Sequence, residues 1–484
     1  MEKQKQQQGS MILYLIISIS IFSILMLPIL DNIIFKISAL RTSIDREQAL
    51  QIAEAGVNYY QWHLAHFPED YQGGSGVHDY IDADTQENVG QFDLVITPPL
   101  VGSTIVTIQS TGWTNNNPNI TRTITVQYGK PSLAKYAFLS HWHIWIYPSD
   151  AISGQFMANN GVRFEGTGNA SIQSAKETYL CTHPDGCEPD QEKPGIWAPE
   201  AYMPPQSTLN FWEFPVPAVD FSSLTSTLSD MKELAQENGG TFYLPPTKKE
   251  GYHVVFNSDS TVTIRRVIKR QKEATGYAYV YDDWTPHSST DYDNNNTLPI
   301  FANISLPSNG IIFAEDNLWV EGTVNGRITV AAAILGETDM TKMPSIYIPN
   351  NILYQSKDGS NVLGLIAQRD IVYSLYSPTD LEIDAAQIAQ NGAIKVLYYS
   401  GGGSCQAGQS CPGNYPYIKN SVTTYGSIMS YDGWVWSWSD ASGLIFSGGY
   451  MHTYNNYDYN LLYAPPPSFP FSTSDYQQLN WRSN

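Results

Sequence analysis

The sequence predicts a mainly β protein with one long N-terminal α-helix, a small antiparallel sheet, and then a large β-solenoid of right-handed, β-helix-like type. Three observations predict it. An uncharged apolar run from Ser10 to Leu30 continues into an amphipathic pattern that stops at Pro68. Apolar and polar residues then alternate as far as Lys130. From Pro131 onward, short β-branched segments recur at turn-bounded intervals of roughly eight to ten residues, the spacing of an all-β domain. Because the interval is irregular, a β-sandwich is the alternative for this last region.

Length and composition set the frame. A chain of 484 residues is long enough for two or three domains with sizeable cores. Lys and Arg number 26 against 46 Asp and Glu, so the net charge is −20. That excess repels polyanions, so neither nucleic acid nor an anionic membrane surface is expected as the main partner. Only 15% of residues are charged while 13% are aromatic, including 32 Tyr and 12 Trp. The mix is that of an extracellular β-rich protein.

The N-terminal segment divides into a polar leader, residues 1–9, and a helix over residues 10–67. The stretch 10–30 is roughly 31 Å long at 1.5 Å per residue, enough to cross a bilayer core. Lys3 and Lys5 precede it and Asp31 follows it, which places the short tail in the cytoplasm and the bulk outside. Beyond it, Ile37, Leu40 and Ile44, then Leu50, Ala53, Val57, Tyr60 and Leu64, recur at helical spacing. Pro28 is expected to kink or locally melt the helix, since it removes a backbone donor.

Residues 68–130 read as a small antiparallel head. Gln91–Thr97, Ser103–Ser110 and Ile120–Tyr128 alternate as strands, with turns at Pro98-Pro99 and Asn115–Pro118. Such a sheet needs a cover, and the amphipathic half of the helix can supply it.

Residues 131–484 form the solenoid-like region, with an α/β insertion at about 180–300. In the insertion, Asp220 is a helix N-cap and Leu224, Leu228, Met231 and Ala235 share one face, ended by Gly239-Gly240. A hairpin follows at Tyr252–Phe256 and Thr261–Val267. The four cysteines fall as two C-x5-C pairs, Cys181 with Cys187 and Cys405 with Cys411, read as two local disulfides of an oxidising compartment. The alternative, zinc, needs four ligands, and His183 is the only other one nearby.

Few residues point to chemistry. Glu315, Asp316, Glu321, Asp370, Glu382 and Asp384 are acids without a spacing that singles out a pair, so no enzyme activity is expected. Asp291, Asp293 and Asn295 begin like a Ca²⁺ loop, but Asn296 stands where Gly is needed and Ala302 where an acid is needed. No cofactor is expected beyond adventitious Ca²⁺. His141 and His143 share a strand face with Trp142 and Trp145 beside them, a weak metal signal. Arg265, Arg266, Lys269, Arg270 and Lys272 make one basic run, read as a solvated hairpin face. Tyr431, Trp434, Trp436 and Trp438 are the candidates for a surface that holds a ligand, with buried stacking as the alternative.

A leader ending in Gly9, an apolar helix starting at Ser10, and the run Gln48-Ala-Leu-Gln-Ile-Ala-Glu-Ala-Gly56 resemble a type IV pilin-like protein, most closely the PilX-type minor-pilin N-terminus. The resemblance implies cleavage by a prepilin peptidase after Gly9 and transfer of the helix from the bilayer into a filament core. It also implies other pilin-like subunits and an assembly platform as partners. One departure stands out. The fifth mature position, Glu in major pilins, is Tyr14 here, which suggests a minor subunit. The C-terminal stretches "DNLWVEGTVNGRITVAA", "VLGLIAQRDIVY" and Leu461–Pro470 resemble large bacterial PilX-type proteins, which names no activity.

The function expected is therefore a minor pilin-like subunit that presents a β-rich module for assembly initiation, adhesion or surface display. Its place would be the bacterial cytoplasmic membrane, then a filament or the cell surface, with a glycan or protein as ligand. The alternative is a single-pass surface protein that binds or cleaves polysaccharide and enters no filament.

Overall fold

The computed structural model describes residues 2–99, 103–221, 223–237, 240–267, 301–375, 377–397, 418–439, 446–462, 464–472 and 475–483. The chain is mainly β, with one long N-terminal helix, a small sheet and a large β-rich region. It divides into two units, and the second is inserted into the first. The first comprises residues 1–98, 106–129 and 476–484; the second comprises 99–105 and 130–475.

In the first unit, α1 (Glu2–His66) is one helix that runs unbroken through Pro28. Its C-terminal half lies on a sheet ordered β1 (Gly76–Ile81), β2 (Asn88–Thr97), β3 (Val106–Thr114), β4 (Thr121–Gly129) and the last strand, Gln477–Ser483. All neighbours pair antiparallel. Ile52, Ala53, Val57, Tyr60 and Leu64 of the helix meet Phe92, Leu94, Ile108, Ile124 and Val126 of the sheet. The helix sits close because Gly112 has no side chain: a Cβ there would fall on the backbone at Ala49 and Ala53. Polar bonds tie its ends, Asn117 Nδ2 to Asp45 Oδ2 at 3.1 Å and Tyr128 Oη to Gln61 Oε1 at 3.2 Å. At the far end Tyr71 and Tyr476 hydroxyls meet at 3.1 Å, and Tyr476 Oη donates to Pro68 O at 3.0 Å.

Alternation in the sequence marks only the three central strands of this sheet, and the C-terminal region is expected to run to residue 484. The structure returns Gln477–Ser483 to the head, beside β4. That strand and β1 lie at the two edges of the sheet with no buried side chain among their described residues, so neither shows the alternate buried positions of β3.

In the second unit, parallel strands stack coil on coil in three ladders. The first runs through Ile311–Ala314, Arg327–Ala332, Val362–Ala367 and the ends of Asp380–Ala389 and Ile418–Ser430. The second runs through Leu318–Val324, Ile346–Ile348, Ile371–Tyr373, Ile394–Val396 and Trp434–Val435. The third runs through Gly251–Asn257, Leu318–Val324, Ile352–Tyr354, Asp380–Ala389, Ile418–Ser430 and Phe446–Tyr457. Parallel pairing along the stack is the solenoid arrangement; a sandwich would pair its strands antiparallel. Ile328, Val330, Leu363, Leu365, Ile383 and Ile388 are fully buried in the shared core.

The order of coils is not the order of the sequence. Tyr136–Ser140 pairs with Ile428–Ser430, so the earliest strand of this unit stacks on one of the latest. Gln155–Ala158, Ile172–Ser174 and Trp212–Glu213 continue the stack beyond it. The chain must then travel back to start the coil of Ile311–Ala314. It does so along the corner helix Ser223–Gln236. Fourteen residues span about 21 Å, and four coil steps of ~4.8 Å come to about 19 Å. Phe221 packs edge-on to Tyr431 at one end, and Lys232 Nζ meets Glu315 Oε1 at 2.5 Å at the other. The chain enters and leaves side by side, Leu133 N donating to Pro470 O at 2.8 Å and Ser472 N to Pro131 O at 2.9 Å.

Two parts of the expected insertion are therefore integral. The corner helix closes the route between coils, and Gly251–Asn257 is a strand of the third ladder, paired with Leu318–Val324. A hairpin of Thr178–Cys181 and Gln191–Pro194 does stand apart as a sheet of its own.

Candidate functional site

The strongest candidate is the first half of α1. From Met11 to Ile44 the described large apolar side chains are exposed, from 39% at Met26 to 77% at Met11. Two of its hydroxyls turn back on the helix, Ser20 Oγ donating to Ile16 O at 2.8 Å and Thr42 Oγ1 to Ser38 O at 2.9 Å. The surface presented is thus largely apolar, and its backbone hydrogen bonds close within the helix, as a hydrocarbon environment requires. Among the described residues this is the one helix long and apolar enough to cross a membrane. Residues 11–44 extend about 51 Å, against a bilayer core of about 30 Å. Some 20 Å of apolar helix, carrying Ile33, Ile34, Phe35, Ile37, Leu40 and Ile44, therefore continues past what one bilayer covers. Charged Asp31, Lys36 and Arg41 interrupt that part. Gly9 and Ser10 lie on the helical backbone of α1, and Tyr14 is exposed.

A second constellation surrounds the first cysteine pair. Cys181 and Cys187 are joined. The loop they close carries Asp185, whose Oδ2 accepts from Thr182 N at 3.1 Å and whose Oδ1 lies 3.1 Å from His143 Nε2. Beneath it, Trp145, Arg163 and Trp197 sit in register on adjacent parallel strands. The Arg163 guanidinium lies 3.8 Å from the Trp145 ring centre and 5.2 Å from that of Trp197. It donates to Glu165 Oε1 at 2.6 Å and to Asp185 O at 2.9 Å. Every charge here has a partner, so the loop is a clamp over one face of the stack. Burial holds the His143 pKa below its usual value, and the Asp185 carboxylate only partly offsets this. The second pair, Cys405 and Cys411, lies outside the described residues.

The aromatic run is packed, not presented. Trp436 is buried and stacks on Tyr373 with ring centres 5.2 Å apart. Trp434 packs against Phe138 at 4.9 Å, and Trp438 Nε1 donates to Val396 O at 3.1 Å. Tyr431 stacks on His141 at 4.2 Å. The reason is register: Trp434 stands on the second ladder beside Ile394 and points into the core with it.

The acids are likewise paired. Glu315 meets Lys232, Glu321 meets His253 at 2.8 Å, and Asp370 meets Lys395 at 3.0 Å. Asp384 accepts from Lys357 Nζ at 2.8 Å and from Tyr354 N at 2.9 Å, yet burial pushes its carboxyl up. Asp316 Oδ2 accepts from Thr247 Oγ1 at 2.6 Å; Glu382 is the exception, an exposed side chain whose backbone N–H donates to Asn351 Oδ1 at 3.0 Å. His141 and His143 diverge, one to Asn159 and the other to Asp185. Among the described residues no group of three or more His, Cys, Asp or Glu could hold a metal ion. Arg265 and Arg266 lie on Thr261–Val267; Lys269, Arg270 and Lys272, and the Asp291–Asn295 stretch, lie outside the described residues.

No family model and no curated protein matches the chain. Among solved structures it matches the competence-associated pilin ComZ from Thermus thermophilus, at 11% sequence identity, over 91% of this chain and 97% of that one. The TM-score of 0.28 is too low for that match to carry fold or function across.

Proposed function

We propose that the protein is a minor, PilX-type pilin-like subunit that presents a β-helix-type module on a type IV pilus-related filament, for assembly initiation, adhesion or surface display. The observation that carries this reading is the length of exposed apolar helix. A membrane anchor needs about 20 apolar residues, and α1 offers exposed apolar side chains from Met11 to Ile44. A bundle of other apolar helices covers such a surface from end to end, and lipid covers its first part equally well. The N-terminal run from Gly9 to Gly56 supports the same reading.

On this reading a prepilin peptidase cuts between Gly9 and Ser10 and an assembly platform extracts the subunit from the cytoplasmic membrane. Other pilin-like subunits then enclose the helix. Tyr14 supplies no carboxylate for a neighbour's amine, which suits a subunit used in few copies. The reading invokes no catalysis and no cofactor. Sequencing the N-terminus of the mature protein tests it. Ser10, with the protein co-purifying in sheared filaments, is the expected result. An uncut Met1 in protein that stays in the membrane fraction would leave a tethered surface protein instead.

A further inference from the structure

Along one corner of the second unit, the turns joining the first ladder to the second lie one above another. Backbone hydrogen bonds between neighbouring coils fix their order. Asn391 N donates to Gln368 O at 3.1 Å, Asp432 N to Gly392 O at 3.0 Å and Trp142 N to Tyr431 O at 3.1 Å. Asn159 N to Ser140 O at 2.8 Å and Ala175 N to Ala158 O at 3.0 Å extend the series. Val219 and Phe221, on the way into the corner helix, lie against one side of these turns, Val219 N donating to Asn159 Oδ1 at 2.7 Å and Phe221 packing on His141 and Tyr431. Beside that cover Arg369, Asn391, Asp432, Trp142, Asn160 and Lys176, one from each coil, are half-buried or exposed. At ~4.8 Å per coil the strip is about 24 Å long.

Trp142 is the informative member. Its side chain is 47% exposed although most tryptophans of this unit are packed. Its backbone is fixed from two sides, the N–H being shared by Tyr431 O and Ser140 Oγ, both at 3.1 Å. An exposed indole on a fixed backbone therefore stands in a line of polar groups: the Arg369 guanidinium, the Asn391 and Asn160 amides, the Asp432 carboxylate and the Lys176 ammonium. That combination suits a sugar. The ring face takes the C–H face of a pyranose, and the planar groups donate to and accept from its hydroxyls. The strip carries little net charge: Arg369 and Lys395 both meet Asp370, at 3.3 and 3.0 Å, and with Asp432 and Lys176 three cations stand against two acids. A polyanion would find one net positive charge here against repulsion from the −20 chain as a whole.

We infer that this corner binds an extended, neutral, β-linked polysaccharide laid along the stack, with Trp142 as its stacking platform. The coil spacing is close to the advance per sugar in an extended β-1,4-linked chain. Successive sugars therefore meet successive coils, and weak contacts add along the strip. The inference names a ligand for the displayed module but does not rest on filament entry, so a failed N-terminal test leaves it standing.

The experiment is calorimetric titration of the full chain in detergent micelles with cellohexaose and chitohexaose, and with the matching disaccharides. At least one hexasaccharide is expected to bind, about tenfold or more tighter than its disaccharide. Trp142→Ala is expected to weaken that binding about tenfold or more, with an unchanged melting curve because the ring is exposed. Asp432→Asn should weaken it less, and Tyr454→Ala, an exposed aromatic off the strip, should leave it unchanged. Absence of hexasaccharide binding, equal affinity for hexasaccharide and disaccharide, or full binding by Trp142→Ala would each overturn the inference.

Discussion

Leu40 and Leu64 lie on the same helix, and the same substitution should have opposite consequences at the two. Leu64 is 1% exposed beneath the head sheet, and Leu40 is 63% exposed on the free half. Leu64→Ala removes buried methyl groups and leaves a cavity, which costs about 2–5 kcal/mol of head stability. Leu40→Ala removes nothing the isolated subunit buries, so the head should change by less than about 0.5 kcal/mol. Its cost appears on assembly. Fully burying a leucine is worth about 1.5–3 kcal/mol, and 63% of that surface remains to be covered by a partner. The loss on packing is then about 1–2 kcal/mol per contact. Leu40→Glu would add the penalty of an unpaired buried carboxylate and should abolish incorporation. Thermal melts of the full chain in micelles, with recovery of each variant in sheared filaments, separate the two effects. If Leu40→Ala lowered the melting temperature as much as Leu64→Ala, the free half would be packed within the subunit and the assembly reading would fail. Filaments carrying Leu40→Glu at parental levels would refute it equally.

Two further outcomes follow from the second unit. Reduction of the Cys181–Cys187 bridge, which closes a loop of sequence separation 6, should cost about 2 kcal/mol by loop-closure entropy. Differential scanning calorimetry with and without reductant reads this, and peptide mapping without reduction should recover Cys181 joined to Cys187. The pH dependence follows from His141 and His143, whose pKa values are both held below the usual one by burial. Neutral histidine is the form the fold prefers, so their contribution is complete above about pH 6.5. It is lost as pH falls through the lower folded values. Melting temperature should therefore decline on the acid side, and His143→Gln should flatten part of that decline; an unchanged slope would count against the burial assignment.

How much was legible in the sequence depends on how much of an element's burial comes from its own pattern. β3 could be read from alternation because one face meets α1, while Gln477–Ser483 could not, since its side chains, Trp481 included, are largely exposed. The short solenoid segments could be located, but not their order, because any one β-branched strand can stack on any other. The aromatic run from Tyr431 to Trp438 was visible but not its direction; the pairing of Trp434 with Ile394 turns it inward. Trp142, two residues after a buried strand, gave no sign of being the exposed one.

Local chemistry determined the long helix, its apolar and amphipathic halves, the meander beneath it and the small disulfide loop, for each is specified by contacts between residues near in sequence. Only the tertiary structure decided that the last strand closes the first sheet, and that the coil of Tyr136–Ser140 rests on that of Ile428–Ser430. Those pairings join residues hundreds of positions apart. What selects them is the burial of whole faces against one another, a property that no stretch of the chain carries alone.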